Sequence, residues 1–82
     1  MSADKLIYMA NQIAGFMRTR GDEVSAQAGI AAHINDYWEP RMRRELLAQI
    51  AAAAPQLSPL VTAAAPLIRP PPEADKAAAA KA

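Results

Sequence analysis

Apolar residues recur along this chain at helical spacing rather than in the alternation of a strand. Leu6, Met9, Ala10, Ile13, Phe16 and Met17 share one face about 120° wide at 100° per residue, and Ser2 is placed to cap that helix. Arg18, Thr19, Arg20 and Gly21 close it, because cations suit the carbonyl end of a helix and Gly is favoured just beyond it. A second helix is expected from Asp22 or Glu23, with Val24, Ala28, Ala31, Ile34 and Trp38 on one side and Ile30 and Tyr37 widening the stripe. Gly29 inside it costs roughly 1 kcal/mol relative to Ala, so either a neighbouring helix approaches closely there or the helix is locally weak. Pro40 disfavours helix at Glu39 yet fits the first turn of a new one. That third helix is expected over Arg41 to Ala54, burying Leu46, Leu47, Ile50, Ala53 and Ala54, until Pro55 ends it. Ser58-Pro59 then reads as a cap followed by a first-turn proline, opening a short helix with Leu60, Val61, Ala63 and Ala64 that stops at Pro66.

No hairpin turn signal separates alternating apolar runs, so strands are not expected. The pattern predicts an all-α fold, a small bundle of three helices plus a short fourth, in one domain over residues 1–68. From Arg69 the text changes to Arg69-Pro70-Pro71-Pro72-Glu73 and an Ala/Lys-rich end. Those prolines favour extended polyproline geometry, and the Ala/Lys run is too short to hold a helix alone. Residues 69–82 are therefore read as a disordered, mobile tail.

Composition narrows the function. Hydrophobic residues make up 52% of the 82, and about half of them are alanine, which leaves few large side chains for a core. A domain of this size buries roughly 60% of its surface, and small scaffolds usually gain security from a disulfide, a metal or a partner. With no Cys there are no disulfides, thiolate zinc sites, iron–sulfur ligands or cysteine nucleophiles, and the single His33 excludes a multi-His metal site. Another protein chain remains as the stabilising element. A net charge of +1 gives no global field to attract nucleic acid or an anionic membrane. Leu46 to Ile68 carries no charge over a length that could span a bilayer, but Pro55, Pro59 and Pro66 divide it and Ala contributes little to insertion. The N-terminal segment has neither the basic region nor the unbroken apolar run of a signal peptide, so a cytoplasmic location is expected.

The densest chemical signal is His33-Ile34-Asn35-Asp36-Tyr37-Trp38-Glu39-Pro40-Arg41-Met42-Arg43-Arg44. His33 has no orienting acid and nucleophile in a recognisable arrangement, which favours a surface or interface hydrogen-bonding role over catalysis. Asp36 and Glu39 read as solvated charge rather than an acid/base pair or, with His33, a metal site. Arg41, Arg43 and Arg44 sit in the first turn of a helix, where the dipole disfavours cations. Either they reach a carboxylate-bearing partner surface, as interface arginines often do, or they pair with Asp36, Glu39 and Glu45 at little gain. Tyr8, Asn11 and Gln12, one turn apart on the first helix, form a second candidate surface of phenol and amides, or else ordinary solvent-facing side chains. Trp38, the only Trp, is expected to cap the hydrophobic cluster, with an interface role as the lesser alternative. A helix-turn-helix DNA reader over the Glu39-Pro40 turn would use the same arginines, but the acids beside them and the near-zero net charge oppose it.

Lys5-Leu6-Ile7-Tyr8-Met9-Ala10-Asn11-Gln12-Ile13-Ala14-Gly15-Phe16, followed by Ala32-His33-Ile34-Asn35-Asp36-Tyr37-Trp38-Glu39-Pro40-Arg41-Met42-Arg43, resembles the delta subunit of the soluble, NAD-dependent, molybdenum-containing formate dehydrogenases of bacteria. These ungapped pieces cover about a third of the chain, and the Leu/Ala helix, the Ser-Pro-Leu-Val turn and the Pro-rich segment follow in the same order. Met17 stands where that family often has a second Phe, and Tyr37-Trp38-Glu39-Pro40 where it shows Phe-Trp-Asp-Pro. The resemblance implies a non-catalytic accessory subunit that binds no cofactor itself. Its partners would be the large catalytic subunit and the flavin and iron–sulfur subunits of one complex, which together carry molybdenum bis(guanine dinucleotide), iron–sulfur clusters and FMN and use NAD. Assembly of the complex or retention of its molybdenum cofactor is the contribution implied, with a transient cofactor-insertion chaperone as the alternative. The partner interface is expected at Tyr8, Asn11, Gln12, His33, Tyr37, Trp38, Arg41, Met42, Arg43 and Arg44.

Overall fold

The computed structural model describes residues 2–70. Four helices follow in order, α1 (Ala3–Arg18), α2 (Glu23–Tyr37), α3 (Pro40–Ala51) and α4 (Pro59–Ala64), and a 3₁₀ turn (Ala65–Leu67) completes them; no strand occurs among the described residues. The fold is all-α. None of these helices is long and apolar enough to cross a membrane. The disordered-tail expectation falls, for residues 71–82, outside the described residues.

Capping chemistry sets the helix starts. The Ser2 hydroxyl accepts the Lys5 N–H at 3.2 Å, and the Asp22 carboxylate accepts the Ser25 N–H at 2.7 Å, satisfying donors that have no partner inside the helix. The Ser25 backbone bond, reinforced by the Ser25 hydroxyl, holds the Asp22 carboxyl below its ordinary value of 3.8. At α4 the Ser58 hydroxyl accepts the Leu60 N–H at 3.2 Å, with Pro59 in the first turn. Glu39 is extended (φ −65°, ψ 154°), as a residue before proline should be, and Pro40 begins α3.

The third helix is shorter than its apolar pattern suggests. It stops at Ala51, and Ala53 takes a left-handed conformation with φ 56°. The Ala54 N–H donates to the Gln49 carbonyl at 3.1 Å and the Ala53 N–H to the Ile50 carbonyl at 3.0 Å, the crossed pair of bonds of a Schellman ending. The cause lies downstream. Pro55 disfavours helical geometry at Ala54, so the chain turns away before reaching it.

The core gathers Leu6, Ala10, Ala14, Ala26, Ile30, Ala31, Ile34, Trp38, Leu46, Leu60, Val61, Ala64 and Ile68. In this arrangement α1 packs on α2, α3 and α4, while α2 packs on α1, α4 and the 3₁₀ turn. Two faces differ from expectation for that reason. On α1 the buried residues are Leu6, Ile7, Ala10 and Ala14, with Met9, Ile13 and Met17 partly covered, and Phe16 is exposed beneath the Arg20 guanidinium, 5.2 Å from its ring centre. Three neighbours on one helix require a wider face than a single stripe. On α2 the buried set is Ala26, Ile30, Ala31 and Ile34, whereas Val24, Ala28 and Tyr37 are exposed. This helix is rich in Ala and Ile around much of its circumference, so periodicity alone does not choose which side faces inward. Ala53 and Ala63 are likewise exposed rather than buried. Gly29 marks a close approach, since a Cβ there would stand 2.8 Å from the Met17 sulfur.

Candidate partner interface

On α1, Tyr8 is 62% exposed and Gln12 is exposed, one turn apart, so both side chains face outward. Asn11 between them has an internal task. Its Nδ2 donates to the Gln56 carbonyl at 2.8 Å, and its Oδ1 accepts the Ser58 N–H at 2.9 Å. The α3–α4 loop has no ladder to satisfy its backbone, and one carboxamide supplies both a donor and an acceptor. Beside this clasp Asp4, Ile7, Tyr8, Asn11 and Gln56 line a shallow notch of about 230 Å³.

The second cluster straddles the turn between α2 and α3. His33 is half-buried and Tyr37 is 75% exposed, one helical turn apart, their ring centres 4.9 Å from each other and tilted by 46°. Trp38, only 6% exposed, leaves helical geometry (φ −91°, ψ 137°) and turns its indole into the core. Met42 packs partly against the same core. Arg41 and Arg44 are exposed, and with Glu39 and Pro40 they line a notch of about 360 Å³. No acid occupies the first turn of α3 and Glu39 makes no side-chain capping bond, so that helix end presents two exposed guanidinium groups beside the single exposed carboxylate of Glu39.

Arg43 departs from the sequence reading. It is 6% exposed, donating from Nε to the Arg69 carbonyl at 2.8 Å and from Nη1 to the Trp38 carbonyl at 2.9 Å. The side chain is spent inside the fold, and the three arginines do not form one outward group. A helix-turn-helix reader loses one of its three groove-facing cations by the same geometry. The signal was present in the sequence, because Arg43 stands three and seven residues before Leu46 and Ile50 and so shares their face of α3. Asn35, to which sequence spacing assigns no role, is a second internal clamp. Its Nδ2 donates to the Leu67 carbonyl at 3.1 Å and its Oδ1 accepts the Arg69 N–H at 2.7 Å. Arg69 therefore belongs structurally with the helical body rather than with a tail that starts at residue 69.

Among the described residues no group of three or more His, Cys, Asp or Glu side chains is placed to hold a metal ion. Tyr8, Gln12, Tyr37, Arg41 and Arg44 are the exposed candidates and His33 lies at their edge. The family model for the NADH-dependent formate dehydrogenase delta subunit, FdsD, matches residues 5–65. The chain belongs to this family. The matched span holds the Asn11 clasp, both clamp residues Asn35 and Arg43, and every exposed candidate. It stops short of Leu67–Arg69, the segment those clamps grip. No match was found among curated proteins.

Proposed function

We propose that this chain is a non-catalytic accessory subunit of an NAD-dependent formate dehydrogenase, packing on the molybdenum-containing catalytic subunit to support its assembly or stability. The observation that carries this reading is the family match over residues 5–65, which takes in nearly all of the helical body. Two features of the chain support it. A polypeptide without Cys cannot supply thiolates to iron–sulfur clusters, so those clusters are assigned to the other subunits; the molybdenum bis(guanine dinucleotide), FMN and the NAD site are assigned there on the family reading alone. The side chains left facing outward are also of the kind that anchors interfaces, Tyr and Arg, with their neighbours already satisfied internally. On this reading the chain works in the cytoplasm with the catalytic, flavin and iron–sulfur subunits, and touches neither nucleic acid nor membrane.

Affinity purification of a tagged copy from cells making the whole complex is the test, with bound proteins identified and molybdenum measured. A stoichiometric subunit travels with the molybdenum-loaded, formate-oxidising enzyme. Recovery only with molybdenum-free catalytic subunit would instead identify a cofactor-insertion chaperone. Recovery without any formate dehydrogenase protein would overturn both.

A further inference from the structure

Leu67-Ile68-Arg69 is held as though by a neighbouring strand. Asn35 grips the Leu67 carbonyl at 3.1 Å and the Arg69 N–H at 2.7 Å, Ile68 between them is 3% exposed in the core, and Arg43 grips the Arg69 carbonyl at 2.8 Å. The same guanidinium holds the Trp38 carbonyl at 2.9 Å. Its donors form a rigid planar fork, so the two carbonyls are fixed relative to each other. One clamp residue belongs to α2 and the other to α3. These helices are joined through two extended residues, Trp38 and Glu39, and each has its main packing partners elsewhere, α2 on α1 and α4, and α3 on α1.

We propose that Leu67-Ile68-Arg69 is a strap that sets the angle between α2 and α3, and that Asn35 and Arg43 are positioning residues for the docking surface carried by that turn. Asn35 lies two residues before Tyr37, and Arg43 two residues after Arg41. Fixing the strap fixes the Trp38 carbonyl, and with it the direction in which α3 presents Arg41 and Arg44 relative to the helix that carries Tyr37. The docking half of this inference rests on the function proposed above; the strap itself rests on the hydrogen bonds.

The test uses the full chain with Asn35→Ala, which releases two strap bonds without touching any outward residue. Trp38 is the only Trp, so quenching of its emission by acrylamide reports the strap directly. The expected result is greater quenching, retained helical circular dichroism, and affinity for a formate dehydrogenase preparation lacking this chain reduced by about fivefold or more, the usual scale of coupling between linked sites. Arg43→Lys should weaken binding in the same way, because a point cation does not reproduce the fork between two carbonyls. Ile30→Val, a buried change that removes none of the strap's hydrogen bonds, should lower thermal stability while leaving quenching and affinity as in the parent chain. Unchanged quenching in Asn35→Ala overturns the strap, and wild-type binding by Asn35→Ala, or a loss no larger than that of Ile30→Val, overturns its positioning role. A parent chain that does not bind overturns the proposed function and the positioning role together.

Discussion

Adjacent arginines in one helical turn divide here between two jobs, and burial decides which. Arg41 and Arg44 are exposed, whereas Arg43 is enclosed and bonded to two carbonyls. Removing Arg43 strands both acceptors, and hydrogen bonds to a charged group are worth about 1.5–3 kcal/mol each. Arg43→Ala should therefore destabilise the chain by about 3 kcal/mol, lowering the melting temperature by roughly 10 °C or more in a domain this small. Arg41→Ala should melt close to the parent, and a loss equal to that of Arg43→Ala would refute the division. The sequence shows three arginines of one type, and separating them requires extending the Leu46 and Ile50 face backward by one turn. Asp22 makes a second residue-level prediction. Its carboxyl is lowered mainly by the Ser25 backbone bond, so its stabilisation is complete above the ordinary value of 3.8 and is lost as pH falls through the lowered folded value. Asp22→Asn keeps a capping oxygen but does not titrate, and should flatten that acid limb of a melting-temperature profile; an unchanged limb would assign it to other carboxylates.

Helix boundaries were largely legible because caps and prolines act locally, within three or four residues. Ser2, Asp22, Pro40, Ser58 and Pro59 each do what their chemistry requires. Buried faces were less legible, because they depend on which helices become neighbours. Ile7 and Ala14 are inside since α1 has three partners, and Val24 is outside since α2 turns Ala26 and Ile30 inward. The end of α3 combines both effects. Ala53 pays a left-handed penalty, with φ 56°, that Gly would not, of roughly 1 kcal/mol. Ala53→Gly should therefore raise stability toward urea by up to about that amount, offset in part by the greater backbone freedom that Gly gives the unfolded chain. A decrease on that substitution would mean that the helix continues through Ala53.

At the scale of the molecule, the two segments that carry the family signature serve folding and display together. Asn11 ties the α3–α4 loop to α1, and Asn35 and Arg43 tie the last described residues to the α2–α3 turn. Such contacts join residues more than 25 positions apart, which is why spacing rules applied along the chain do not find them. What they leave exposed is an aromatic and cationic surface, with Tyr37 at 75% exposure its most open aromatic ring. On the function proposed above, this surface rather than any reactive site is what the chain contributes. Calorimetric titration of the chain into formate dehydrogenase prepared without it measures that contribution most directly. Saturation at one copy per catalytic subunit is expected, with Tyr37→Ala combined with Arg41→Ala weakening binding roughly tenfold or more, as loss of interface anchors does. Undiminished binding by the double variant, or no heat of binding from the parent chain, would contradict it.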